Sequence, residues 1–551
     1  MKTAPVTAPI LLFFLLFAFF CVQPPLAISQ DWVYTVQQGD NLWRIGKENL
    51  KSMRYWRKLV DLNRIEDPFY LQPGSTIHIP FDWLKKEVSV ARLIAVSGEA
   101  FVTRNNSDAQ IKAFVNMFLW CHDRIQTASE SNVTLKFADG SEVLVQAESE
   151  VIIGKLMRYG TTGMAETNLL LESGRTHNKV IPASGPGSRF EIKTPSAIAA
   201  VRGTEYRIGT DRDGSSRVEV LTGVVQFDSS GKRDRLESGY GLVSFLDKKP
   251  LPPVKLLPPP DISKLPKNIV RVPFPIKIQP IPGAKNYRLQ IGVDKNFSSL
   301  LFDKTFSGTH LWGPSLSNGI YFLRINGIDK NGLEGLYAVH QFSMAAHPVP
   351  PVPISPAIDA VVENCQPTFL WSQPTGIEHY HFQLADNNEF TVLLADEINL
   401  NRPQYLLQKQ LLPGLYHWRL ASADLSAKEG PYSDPQQFRC PPSRPDMSNA
   451  KLDKEEMVYR WRGLRTEARY RFQVSRDKAF TNPCIDQELA EPQFDLQGLT
   501  PGTYYIQVAT ITPDGFTGPY SLPQRVTVEP PPPHPLVVAG SVLLMIAIIL
   551  L

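Results

Sequence analysis

Ten histidines and 54 carboxylates supply material for acid–base or metal chemistry, yet their spacing assembles no recognisable centre. No His-Glu-x-x-His pair is present to hold zinc, no Gly-x-Ser-x-Gly turn presents a nucleophile, and no Gly-rich loop is placed to cradle phosphate. The nearest thing to an active pair is Arg202 with Glu205, in a strand–turn–strand stretch. The same two residues also read as a structural ion pair or as solvated charges. The cysteines form no Cys-x-x-Cys pair and have no companion histidines, so a zinc site is not expected. Catalytic residues, metal ligands and cofactors are all expected to be none. A hydrolase concealed within 88–247 is the enzymatic alternative, because sequence alone does not pair single carboxylates as acid and base.

The most informative stretch to position is Trp32–Pro80. Tyr34 and Val36 alternate as a short strand, Gly39 supplies a turn, and Asp40 stands where it can cap a helix. Leu42 and Ile45 open the apolar face of that helix, and a second helix turns Trp56, Leu59, Val60 and Leu62 inward. Thr76-Ile77-His78-Ile79-Pro80 closes the unit as a strand, giving a βααβ module. Lys51, Arg54, Arg57 and Lys58, interleaved with Tyr55 and Trp56, read either as a lure for anionic wall polymers or lipid headgroups or as a solvated helix face.

In their order and spacing, Tyr34, Val36, Gly39, Asp40, Leu42, Ile45, Leu59, Asn63, Ile65, Pro68, Pro73, Gly74, Ile77 and Pro80 resemble the LysM family. The resemblance implies binding of N-acetylglucosamine-containing glycans, chiefly peptidoglycan and chitin. It places the groove between the first strand–helix loop, with Gly39, Asp40, Asn41 and Leu42, and the loop after the second helix, with Asn63, Ile65 and Pro68. Loop amides and Asn side chains there suit acetamido groups, while Leu42 and Ile65 suit their methyls. Each also has a structural reading: Gly39 as turn, Asp40 as cap, Ile65 as core. A single module implies weak affinity.

From 88 to 247 the pattern becomes many short strands, which reads as an all-β roll or sandwich. Val133–Phe137 with Glu142–Val145 across Asp139-Gly140, and Arg217–Leu221 with Val224–Phe227 across Thr222-Gly223, are both expected to be hairpins. The Thr194-Pro195-Ser196-Ala197 and Ala200-Val201-Arg202-Gly203-Thr204-Glu205 elements resemble the periplasmic domain of the FecR family. That resemblance implies a protein-interaction or sensing role. The family's sigma-factor relay also needs a cytoplasmic region and a membrane span ahead of the domain, and here a signal-like segment and the LysM-like unit occupy the front.

Residues 249–282 hold 11 prolines, so 248–270 is expected to be a semi-rigid polyproline spacer, with an SH3-like partner as the other reading. Three repeats follow. Tyr287-x-x-Gln290 with Phe297 recurs as Tyr380-x-x-Gln383 with Phe390 and as Tyr470-x-x-Gln473 with Phe480. Tyr321, Tyr416 and Tyr504 recur likewise, and Trp371 and Trp461 match Ile278. This skeleton resembles fibronectin type III-like β-sandwiches at 271–346, 352–440 and 444–529. Its aromatics read as core rather than as carbohydrate platforms. Cys365 and Cys440 bracket the second repeat and are expected to meet there, either as a disulfide or as two buried thiols.

Both ends are apolar. Residues 1–29 have the three-part pattern of a secretory signal peptide, the alternative being an uncleaved anchor. Residues 536–551 carry no charge and read as a hydrophobic membrane tail, helical, or as a buried terminal element. With 57 Lys and Arg against 54 Asp and Glu, the net charge of +3 offers no field for nucleic acid. A hydrophobic share of 43% excludes a disordered chain, and 47 prolines exclude a mainly helical one. The expectation is a multidomain, mainly β, exported protein of the periplasm or cell envelope. It would bind peptidoglycan or another N-acetylglucosamine glycan at 30–82, meet an unidentified envelope protein at 88–247, and reach a membrane through its tail.

Overall fold

A computed structural model describes residues 31–530 except 106, 108, 425–427 and 464–468. The signal segment 1–29 and the expected C-terminal hydrophobic helix at 536–551 lie outside the described residues. Among the described residues no helix is long and apolar enough to cross a membrane. The chain divides into two units. One reaches Lys267 and takes in Pro273–Pro314 and Ile320–Ser343; the other comprises Asn268–Val272, Ser315–Gly319 and the residues from Met344 onward.

The first unit begins with the βααβ module: β1 (Asp31–Thr35), α1 (Leu42–Asn49), α2 (Tyr55–Asn63) and β2 (Thr76–Pro80). β1 and β2 pair antiparallel, from Asp31 opposite Pro80 to Thr35 opposite Thr76. Trp32, Val36, Leu42, Ile45, Leu59, Ile77 and Ile79 form the core, which Tyr159 and Met164 of the next domain complete. Two expectations are corrected. The N-cap of α1 is Asn41, whose side chain accepts from the Arg44 N–H at 2.8 Å, and not Asp40. Leu62 faces solvent, because Asn63 one position on takes the inward direction to reach β2.

The following strands wrap into a closed roll of two sheets. One long strand, Ala165–Lys179, belongs to both. Its first half pairs with Glu150–Tyr159, and from Gly174 it pairs with Glu205–Thr210. Gly174 has φ +88°, and a Cβ there would lie 2.4 Å from the Ser149 Cα, so only glycine allows the chain to bend at this corner. Val133–Leu135 pairs with Val143–Val145 as the expected hairpin. The second expected hairpin does not form. Ser216–Thr222 pairs with Glu205–Thr210 and Tyr240–Ser244, whereas Val224–Ser229 pairs with Ile198–Val201 and Lys232–Glu237. Thr222-Gly223 is a corner between sheets, which lets Val218 and Val220 meet Val225 and Phe227 across one core.

The proline-rich segment 248–270 is not a free spacer. Val254–Lys255 adds to Tyr240–Gly241, Leu256 is buried with Val243 and Leu333, and the Leu257 carbonyl accepts from the Leu336 N–H at 2.9 Å. Its leucines, set between prolines, supply the apolar contacts that hold the strap down.

The three repeats are β-sandwiches, and their repeated residues pair in register. Gln290 faces Arg324, Gln383 faces Arg419 and Gln473 faces Gln507, each pair joined by a side-chain hydrogen bond of 2.6–2.8 Å. Phe297, Phe390 and Phe480 all adopt φ between +54° and +56°. Arg324 and Arg419 stack on the first two of these rings at 4.5 and 4.1 Å. The Tyr416 and Tyr504 hydroxyls each donate to the carbonyl four residues back, the tyrosine corner of such sandwiches. Ile278, Trp371 and Trp461 are buried in corresponding places.

Cys365 and Cys440 lie in the core of the second sandwich as two free, buried thiols. The Cys365 sulfhydryl turns toward the Pro441 carbonyl at 3.9 Å. Burial, then the Cys365 thiol beside it, pushes the Cys440 thiol up.

Candidate glycan cleft and the charged seam behind it

The two loops facing each other in the βααβ module are joined by a backbone hydrogen bond from Leu42 N–H to the Pro68 carbonyl, 2.9 Å. Gly39 takes φ +83° with nothing near a hypothetical Cβ, so dihedral freedom alone requires glycine there. Asp40 is buried. It accepts from the Tyr34 hydroxyl at 2.5 Å and the Gln37 N–H at 2.7 Å, and it pairs with Arg44. Burial would raise its carboxyl, but these donors outweigh burial and hold it below the ordinary value. Burial, then Asp40, pushes the Tyr34 hydroxyl up to about 12.

Several expected contact residues are committed elsewhere. Leu42 is fully buried in the core. Asn63 donates to the Leu59 and His78 carbonyls at 3.0 and 2.9 Å and accepts from the His78 N–H at 2.7 Å, pinning α2 to β2. Ile65 packs on the core with one side partly open, and Asn41 and Pro68 are half-exposed at the lip. Sequence reasoning missed Phe69 and Tyr70, which are 67% and 88% exposed beside Pro68, and Trp43, which is 48% exposed on α1. The available signal was two aromatics in an otherwise polar loop, where a core role has no periodicity to support it. The lip therefore presents loop backbone, Asn41, Phe69 and Tyr70 to solvent.

Arg202 and Glu205 do not pair. Glu205 hydrogen-bonds His177 at 2.8 Å and the Tyr337 hydroxyl at 3.0 Å, while Arg202 is exposed. Burial, then nearby Arg324, drives the His177 imidazole down to about 3, so it stays neutral. Behind this pair lies a buried seam between the roll and the first sandwich. Glu334, 2% exposed, meets Arg207 at 3.1 Å, Arg288 at 2.5 Å and also Arg175. Arg207 donates further to the Glu334 and Gly335 carbonyls at 2.6 and 2.8 Å. Burial alone would raise Glu334, but the three guanidiniums outweigh it and hold the carboxyl well below its usual range. Burial pushes the neighbouring Glu219 the other way. Among the described residues no cluster of His, Cys, Asp and Glu is arranged to hold a metal.

Residues 34–80 match the LysM domain family, and residues 123–226 match the FecR protein family. No curated protein matches the chain. Among solved structures, a "putative anti-sigma factor" from Parabacteroides distasonis ATCC 8503 is 18% identical, with TM-score 0.21. The match covers 24% of this chain and 59% of that one, so the chain spans little more than half of that protein's length. The chicken CNTN1 FN1-FN3 domains are 13% identical over 46% of this chain and 94% of that one, with TM-score 0.20. The chain thus carries a LysM domain at 34–80 joined to a FecR-family domain at 123–226.

Proposed function

We propose that this chain is a non-enzymatic cell-envelope protein that holds an N-acetylglucosamine-containing glycan, chiefly peptidoglycan, in the cleft between the Gly39–Leu42 and Asn63–Tyr70 loops. The observation that carries the reading is the Leu42–Pro68 hydrogen bond, which sets the two loops side by side with Asn41, Phe69 and Tyr70 open at the lip. One module binds weakly, so retention on a wall depends on many glycan ends or on a second contact. The FecR-family roll then presents an interaction face held rigid by the first sandwich. Co-sedimentation of the full chain with insoluble peptidoglycan tests this. Pelleting that chitin oligosaccharides reverse is expected, and a chain that stays in the supernatant removes the proposal.

A second reading, an envelope regulator of the FecR type, rests on the Glu334 seam, which would transmit a change at the roll to the first sandwich. It predicts capture of an envelope protein with no loss when the glycan is removed. Clearing of wall material in a zymogram would overturn the non-enzymatic part of either reading. Fractionation with a salt wash would test whether the apolar segment at 536–551 anchors the chain to a membrane.

A further inference from the structure

The Ala200–Glu205 stretch has a structural task for every residue but one. Ala200 and Val201 sit in a strand between Phe190–Lys193 and Val225–Asp228. Gly203, at φ +102°, passes so close to Pro182 that a Cβ would lie 2.7 Å from its Cα. The Thr204 hydroxyl donates to the Val224 carbonyl at 2.9 Å, and Glu205 is held by His177. Arg202 alone forms no ion pair or side-chain hydrogen bond among the described residues. It lines an open cavity of about 430 Å³ with Arg189, Arg235, Gln226, Ala200 and Val224.

Three guanidiniums on one sheet face repel one another, and the acids nearby offset only part of that. Glu191 accepts from Arg189 Nε at 2.7 Å, while Glu237 lies 3.9 Å from Arg235 with both side chains about two-thirds exposed. The surplus is the charge of Arg202. Like charges side by side on a sheet destabilise it, and the fork of each guanidinium suits a carboxylate. The floor between them is small and apolar at Ala200 and Val224, with the Gln226 amide beside them. That surface is suited to the CH face and hydroxyls of a sugar ring and lacks the deep apolar pocket a peptide anchor would need.

We propose that this face of the roll is a second glycan site, which binds the carboxylate of an acidic sugar unit between Arg202, Arg189 and Arg235. The site is independent of glycan capture by the LysM domain. The test uses the full chain at low salt, with hexagalacturonate as the carboxylated glycan and chitotetraose as the neutral one. Arg202→Glu is expected to weaken hexagalacturonate binding by about tenfold or more, the cost of losing a charge-assisted hydrogen bond. Chitotetraose binding should not change. Arg92→Glu, an exposed charge of the other sheet, makes the same change in net charge and should have little effect. No hexagalacturonate binding by the native chain, or equal losses in the two variants, would overturn the site. Equal binding of poly-glutamate, or full displacement by inorganic phosphate at matched concentration, would overturn its assignment to a glycan. Loss of chitotetraose binding alone would count against the LysM cleft and leave this site standing.

Discussion

The Glu334 carboxylate of the first sandwich lies 3.1 Å from the Arg207 guanidinium of the roll, and neither side chain is more than 3% exposed. Two domains that sequence reading separates by a spacer are therefore locked through a buried ion network. Breaking such a network from one side leaves uncompensated charge in a dry interior.

Glu334→Ala should accordingly destabilise the chain by about 3–5 kcal/mol, since Arg175, Arg207 and Arg288 lose a shared partner. Urea unfolding followed by tryptophan fluorescence would measure it, and limited proteolysis should newly cut within 248–270. A loss below about 1 kcal/mol, the range of exposed pairs, would mean the seam is open in solution.

Acid should weaken the same seam. His177 ordinarily titrates at 6.5 and is held down to about 3. Between those values the unfolded chain binds a proton at this residue that the native chain does not, so stability falls as pH falls. At pH 5 the loss from this group is about 2 kcal/mol. Glu205 adds to it below its ordinary 4.5: burial would raise this carboxyl, but the His177 hydrogen bond and nearby cations outweigh burial and hold it to about 2. Melting curves from pH 7 to 4.5 should show the decline, and His177→Gln should flatten it above pH 5. An unchanged slope in that variant would contradict the assignment.

At the LysM lip, Phe69→Ala and Tyr70→Ala should each raise the Kd for chitin oligosaccharides by roughly tenfold, about 1.4 kcal/mol, with no change in melting temperature. Asn63→Ala should instead lower stability by about 1 kcal/mol, because the three hydrogen bonds that pin α2 to β2 are lost. Calorimetric titration alongside thermal melts separates the two effects. Weakened binding by Asn63→Ala at unchanged stability would make Asn63 a contact residue after all.

Oxidation should join Cys365 to Cys440. Two thiols give up two protons and two electrons to a disulfide oxidant, and closing the intervening loop should stabilise the oxidised form by about 4 kcal/mol if native geometry accepts the bond. Intact mass before and after treatment with oxidised glutathione, compared with Cys440→Ser, reads the outcome. A second sandwich that melts identically in both states would remove any structural role for the pair.

Short-range pattern settled a good deal on its own. The βααβ unit, the glycine at the Gly39 turn, the Val133–Val145 hairpin and the three repeats all follow from spacing and turn chemistry, because strand alternation, positive φ and an inward aromatic leave marks within a few residues. Even Gln290 was visible as a recurrence, though its contact with Arg324 was not. Tertiary structure decided what no local pattern encodes. Thr222-Gly223 turns between sheets and not within one, since two flanking apolar strands read alike whether they pair or stack. The strap 248–270 packs down because Leu256 finds Val243 and Leu333, residues distant in the chain. Leu42 and Asn63 became core and clamp, and Phe69 and Tyr70 the open faces, because which side of a loop meets solvent depends on what is packed beneath it. The Glu334 seam was invisible for the same reason: a lone acid in a turn acquires its meaning only when Arg175 and Arg207 of the roll and Arg288 of its own sandwich converge on it.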